Sequence, residues 1–242
     1  MTMTLTRAHL LSVIQQGIDA NPRSLQTAIG PSSLGDPCRR AVLNGLAGSR
    51  GIRSPWEWQA TIGTAAHAWL AEHFGRLPGY LVEKRVSVGT LYDGTDISGT
   101  SDLFIEGTGR VVDWKVVGDS TLDRVRLEGG PGPTYRTQVH LYGRGMVRAG
   151  YDVHNVSVMF LPRNRQLVQA LFWEEPYKPE VAEAALARAD GLLQLLHAVG
   201  LERAESMYEP CGRFTCWWCP TVRRIKPTLA QQIAPPTERI AQ

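Results

Sequence analysis

Two groups of residues in this 242-residue chain have types and spacing suited to chemistry. The first lies in SGTSDLFIEGTGRVVDWKVV, residues 98–117. If Glu106-Gly107-Thr108-Gly109 makes a turn, Ile105 faces Arg110, and that register sets Asp102 opposite Asp113 with β-carbons about 4.5–5.5 Å apart. Lys115 shares their face because strand side chains alternate, while Val112, Trp114 and Val116 pack on the other side. Two carboxylates and an ammonium in an otherwise apolar hairpin would each cost several kcal/mol if buried unpaired, a cost that a divalent cation offsets. An amphipathic strand with its polar face in water gives the same letters.

The second group is the cysteines. Cys211, Cys216 and Cys219 fall within CGRFTCWWC, while Cys38 is the only other thiol in the chain. Cys216-x-x-Cys219 followed by Pro220 has ligand-like spacing, and four thiolates suit either zinc or an iron-sulfur cluster. Zinc ribbons use two local pairs, so one distant cysteine plus three leans toward a cluster. Small buried core residues are the bland reading.

Two helical pairs accompany these groups. Gly63 and His67 are four apart, and Ala65, Ala66 and Ala68 would let another backbone approach and bring His67 to a neighbouring site. Gln138 and Tyr142, also four apart, put an amide and a phenol on one face. Each also fits a polar helix surface.

The elements needed to position these residues can be read from periodicity. Helices are predicted over residues 5–18, 40–46, 56–74, 134–149 and 179–199, and strands over 80–88, 95–105 and 110–117. Residues 153–162 and 166–175 form a second hairpin. Residues 118–133, containing GGPGP, read as a mobile loop, and 226–242 as a disordered tail. The expected class is α/β, a mixed central sheet flanked by helices, with residues 1–225 as a single domain.

Charge and composition narrow the function classes. The net charge of +3 does not by itself declare a nucleic-acid partner. Between Gly129 and Trp173, however, Arg136, Arg144, Arg148, Arg163 and Arg165 stand against the single acid Asp152, an excess suited to a phosphate backbone or to a solvated basic face. The N-terminal residues lack the apolar run of a secretion signal and no membrane span is evident, so the expected location is cytoplasmic.

Gly63-x3-His67, Asp102 after Ser98-Gly99-Thr100-Ser101, Asp113-Trp114-Lys115 and Gln138-x3-Tyr142 together resemble the ordered motifs of the RecB-like branch of the PD-(D/E)XK nucleases. With the four cysteines added, residues 32–220 are similar to the iron-sulfur exonucleases of that branch, which include CRISPR-associated and phage-encoded members. The order of the cysteines differs: in those relatives the close pair precedes the lone cysteine, and here Cys211 comes first.

The resemblance implies a restriction-endonuclease-like core whose ends are joined by a structural [4Fe-4S] cluster on Cys38, Cys211, Cys216 and Cys219. It also implies Mg2+- or Mn2+-dependent hydrolysis of DNA, at single-stranded ends. The expected metal ligands are His67, Asp102, Asp113 and the Trp114 carbonyl, and Glu83 matches an acid common on the preceding strand. Lys115 is expected to orient water or stabilise the transition state, with Gln138 and Tyr142 positioning Lys115 or the strand. Trp56, Trp58 or the loop after Gly118 would stack on unpaired bases. A structure-specific endonuclease and a non-catalytic, zinc-containing DNA-binding module are the competing readings, and homo-oligomers are known among relatives.

Overall fold

The computed structural model describes residues 7–20, 28–49, 57–213, 216, 218 and 219. Helices α1 (Arg7–Asp19), α2 (Pro31–Leu34), α3 (Arg39–Leu46) and α4 (Glu57–Phe74) precede the sheet. Strands β1 (Tyr80–Thr90), β2 (Asp96–Ile105) and β3 (Arg110–Val117) follow, then α5 (Asp119–Glu128), α6 (Gly132–Arg148), β4 (Asn155–Pro162), β5 (Leu171–Pro176), α7 (Pro179–Val199) and α8 (Leu201–Ser206). The predicted tail over 226–242 lies outside the described residues.

The sheet runs β1-β2-β3-β4-β5 and is antiparallel except between β3 and β4, which are parallel. Antiparallel neighbours need only tight turns, whereas the parallel pair needs a crossover, here supplied by α5 and α6. This is the expected mixed sheet flanked by helices. The turn between β2 and β3 is the predicted one: residues 106–108 form one tight helical turn, and Gly109 takes the left-handed conformation at φ 57°. Ile105 then pairs with Arg110, Phe104 with Val111 and Leu103 with Val112.

Both faces of the sheet are covered. The larger core joins Val86, Val88, Ile97, Phe104, Val111, Val156, Val158 and Phe160 to Leu141 and Met146 of α6 and to Leu186, Leu192 and Leu193 of α7. A smaller one joins Leu70 of α4 to Leu103, Val112 and Trp114. Strand β3 therefore has no solvent face: Val111 and Val117 belong to the larger core, on the side that also carries Asp113 and Lys115.

One expectation is overturned. Residues 118–133 are not a loop, because most of them form α5, which ends in the turn Gly129-Gly130-Pro131 before α6 begins. Gly129 at φ 66° returns its N–H to the Val125 carbonyl, an αL helix cap that glycine adopts without steric cost. Within α5 only Leu122 and Val125 are buried. Ion pairs supply the rest of its support: Arg124 to Glu128 within the helix, and Arg165, from the connection between β4 and β5, to Asp119 and Asp123.

Candidate active site

The β2–β3 register places Asp102 across from Asp113, and the β1–β2 register places Glu83 across from Asp102, because Val82 pairs with Leu103 and Lys84 with Ser101. Three carboxylates thus share one level of three adjacent strands. Regular pairing lapses at that level. Glu83 is the one non-glycine residue with positive φ among the described residues, at 48°, a left-handed backbone that L residues seldom adopt. The Trp114 N–H donates to Asp102 Oδ2 at 2.8 Å, so a carboxylate takes an amide that a sheet would otherwise pair. Outliers of this kind concentrate where function requires them.

Helix α4 lies over this level and brings in His67, whose Nδ1 is 3.3 Å from Asp102 Oδ1. Burial disfavours the imidazolium, but the hydrogen bond to Asp102 and the charges of Asp102 and Asp113 outweigh it and raise the His67 pKa. The ligand atoms of His67, Glu83 and Asp102 all lie within 4.8 Å of one another. Neighbouring ligands on an octahedral ion with bonds of about 2.1 Å are about 3 Å apart, so these groups can share one.

Asp113 is almost wholly buried, at 1% exposure. Its Oδ1 accepts a hydrogen bond from Gln138 Nε2 at 2.9 Å, and its Oδ2 lies 2.6 Å from the Lys115 ammonium. Burial pushes the Asp113 carboxyl up to about 6 against the pull of Lys115. Oδ2 is buried and its neighbour is the Lys115 ammonium, so this carboxylate oxygen already sits against a cation. The reading of Asp113 and Lys115 as a solvent-facing pair is thereby excluded. The donor set, carboxylates with one imidazole, fits Mg2+ or Mn2+.

Helix α6 crosses the sheet diagonally and meets a different strand at each contact. Gln138 reaches Asp113 on β3. Tyr142 lies against Gly99 on β2, where a β-carbon would sit 3.2 Å from the ring and 2.8 Å from Pro31. Gly145 lies against Val86 on β1, 2.5 Å from where its own β-carbon would be. Gln138 therefore bears on Asp113, whereas Tyr142 is buried against the strand that carries Asp102.

Other expectations fare differently. Ala65 and Ala68, expected to let another backbone approach α4, are exposed, although His67 does reach Asp102. The basic run is largely neutralised: Arg136 pairs with Glu175, Arg144 with Glu183, and Arg165 with Asp119 and Asp123, acids contributed from outside the stretch counted in the sequence. Arg148 and Arg163 have no ion pair among the described residues. Trp58 is exposed on α4, and Trp56 lies outside the described residues. Sequence reasoning missed Tyr135, whose ring centroid is 5.0 Å from the Lys115 ammonium. One α6 turn before Gln138, it was in a position that a helix projection would have flagged.

The four cysteines also come together. Cys38 Sγ is 3.6 Å from Cys219 Sγ although the residues are 181 apart in sequence, and Cys219 Sγ is 3.6 Å from Cys211 Sγ. All four sulfurs lie within 4.8 Å of one another. Burial raises the thiol pKa values of Cys216 and Cys219. At Cys211 burial is outweighed by hydrogen bonds from Arg213, which bring the thiol down to about 6.

The sequence matches no protein-family model and no curated protein. Among solved structures the chain is similar to an alkaline exonuclease, LHK-Exo, from Laribacter hongkongensis, with 11% identity, a TM-score of 0.51, and coverage of 75% of this chain and 93% of that one. LHK-Exo in complex with dAMP gives 13% identity and a TM-score of 0.50 over 75% and 93% of the two chains. A phage-related exonuclease from Haemophilus somnus 129PT is 12% identical, with a TM-score of 0.47 over 71% of this chain and 95% of that one. The likeness is one of fold: an α/β, nuclease-like architecture.

Proposed function

We propose that this protein is a metal-dependent DNA exonuclease that hydrolyses phosphodiester bonds at single-stranded ends, acting in the cytoplasm. The observation that carries the proposal is the gathering of His67, Glu83 and Asp102 at one level of a nuclease-like sheet, with the buried Asp113, paired to Lys115, across from Asp102 on the next strand. The exonuclease folds it resembles, one of them in complex with dAMP, support DNA as the substrate.

His67, Glu83, Asp102 and Asp113, with the Trp114 carbonyl, would hold one or two Mg2+ or Mn2+ ions. Such an ion supplies Lewis-acid polarisation of the phosphate and a water made acidic enough to attack at neutral pH. The protein's own part is orientation and charge. The Trp114 N–H fixes Asp102, and Gln138 fixes Asp113, so neither carboxylate has to reorganise when substrate arrives. Lys115, held between Asp113 and the face of Tyr135, is placed to stabilise negative charge developing on the phosphoryl oxygens. Tyr142 secures β2 beneath Asp102. The resemblance supplies a [4Fe-4S] cluster for the four thiolates, with a structural role.

The test is degradation of linear single-stranded DNA with and without Mn2+, by wild type and by Asp113→Asn. Loss of activity in either the metal-free reaction or the variant is expected. Cleavage of circular single-stranded DNA would move the reading to an endonuclease. Full activity in Asp113→Asn would end the proposal.

A further inference from the structure

We infer that the four cysteines bind a single, tetrahedrally coordinated Zn2+ instead of the four-iron cluster implied by the sequence resemblance. The argument rests on the space between the sulfurs. Ligands at about 2.3 Å from a tetrahedral zinc are about 3.8 Å from one another. Here two sulfur pairs stand at 3.6 Å and all four sulfurs lie within 4.8 Å, which leaves room for one ion. In a four-iron cube each thiolate caps a different iron and points outward, so the sulfurs enclose the whole cube and stand much farther apart.

The surroundings agree with a closed structural ion site. Cys38 and Cys216 are buried, as is Cys219. The Cys211 N–H points at Cys219 Sγ at 3.2 Å, an amide-to-thiolate bond that offsets the excess negative charge of four thiolates on a divalent ion. Asp36 accepts the Cys38 N–H at 2.7 Å and also holds the Arg213 guanidinium, so a cation sits beside the site. The pair Cys216-x-x-Cys219 forms the local knuckle, and Cys38 and Cys211 complete the set from either side of the domain. Thiolate sites of this kind favour Zn2+ over Fe2+ when both are present.

The inference stands apart from the nuclease proposal, and its test reads metal content. Full-length protein without an affinity tag is purified anaerobically from cells supplied with both iron and zinc. Elemental analysis is expected to give about one zinc per chain in a colourless protein, and Co2+ substitution to give the strong visible bands of a tetrahedral thiolate site. Cys38→Ser should lower zinc to below about a tenth of that amount, while Asp102→Asn and Asp113→Asn keep it. About four irons per chain with broad brown absorption would overturn the inference. So would a metal-free protein with a Cys38–Cys219 disulfide, or zinc that follows Asp102 instead of Cys38.

Discussion

The acidic level of the sheet and the cysteine cluster both gather potential metal ligands, but the chain builds them by opposite means. Glu83, Asp102 and Asp113 meet because strand register leaves them no alternative, and a one-residue slip would send all three to the wrong face. The cysteines meet across a separation of 181 residues, and their closeness depends on what they bind as much as on the fold beneath them. A register-built site is held by the core and holds charge at the core's expense. A site built from distant ends contributes to the stability of the whole.

This contrast predicts that substitutions divide into two classes. Asp102→Asn should lower the rate of single-stranded DNA degradation by about 10³-fold while leaving thermal unfolding unchanged or slightly improved, since a buried charge is removed. A large fall in melting temperature would place that carboxylate among the structural groups. Cys38→Ser should do the reverse, destabilising the protein by about 3 kcal/mol or more, seen by calorimetry as a fall of about 10 °C, with the remaining folded fraction still active. Gln138→Ala should reduce turnover by about 10-fold with little change in melting, because Asp113 loses its orienting partner and keeps Lys115.

The smallest effect concerns a third charged cluster, which sharpens the comparison by having no ligand role. Glu175 joins Arg136, His140 and Lys178. Burial works against its ionised form, but hydrogen bonds from those three residues win and hold its carboxyl at about 2. A depressed carboxylate stabilises the fold above its ordinary range near 4.5, and the contribution is lost as pH falls toward 2. Glu175→Gln should therefore flatten the acid limb of a stability–pH curve in that window and leave the curve above pH 5 parallel to wild type. An unchanged acid limb would show that the cluster contributes nothing to folding.

How much of this was legible depended on whether local pattern or distant partners decided the outcome. The β2–β3 register could be read from Glu106-Gly107-Thr108-Gly109 because a short turn between apolar runs leaves few pairings. The helix over 179–199 was equally plain from its composition. Helix α5 was missed because only Leu122 and Val125 face the core, too few to set a period, and because its support comes from Arg165 across the fold. The arginine-rich stretch looked available for DNA because its partners, Glu175, Glu183, Asp119 and Asp123, lie outside that stretch. Glu83 was named from the resemblance alone, and nothing in the letters announced its left-handed backbone at φ 48°. Ala65 and Ala68 misled in the opposite direction, since small residues on a helix suggest close packing and these two are exposed.

The bond from the Trp114 amide to Asp102 has a further consequence. A backbone donor cannot follow a longer side chain, so the strand measures the reach of the acid placed before it. Glutamate at this position would carry the same charge yet overshoot its anchor by a methylene. The exchange that looks mildest on paper is thus expected to be nearly as damaging as losing the charge, and the chain discriminates between two acids that differ only in length.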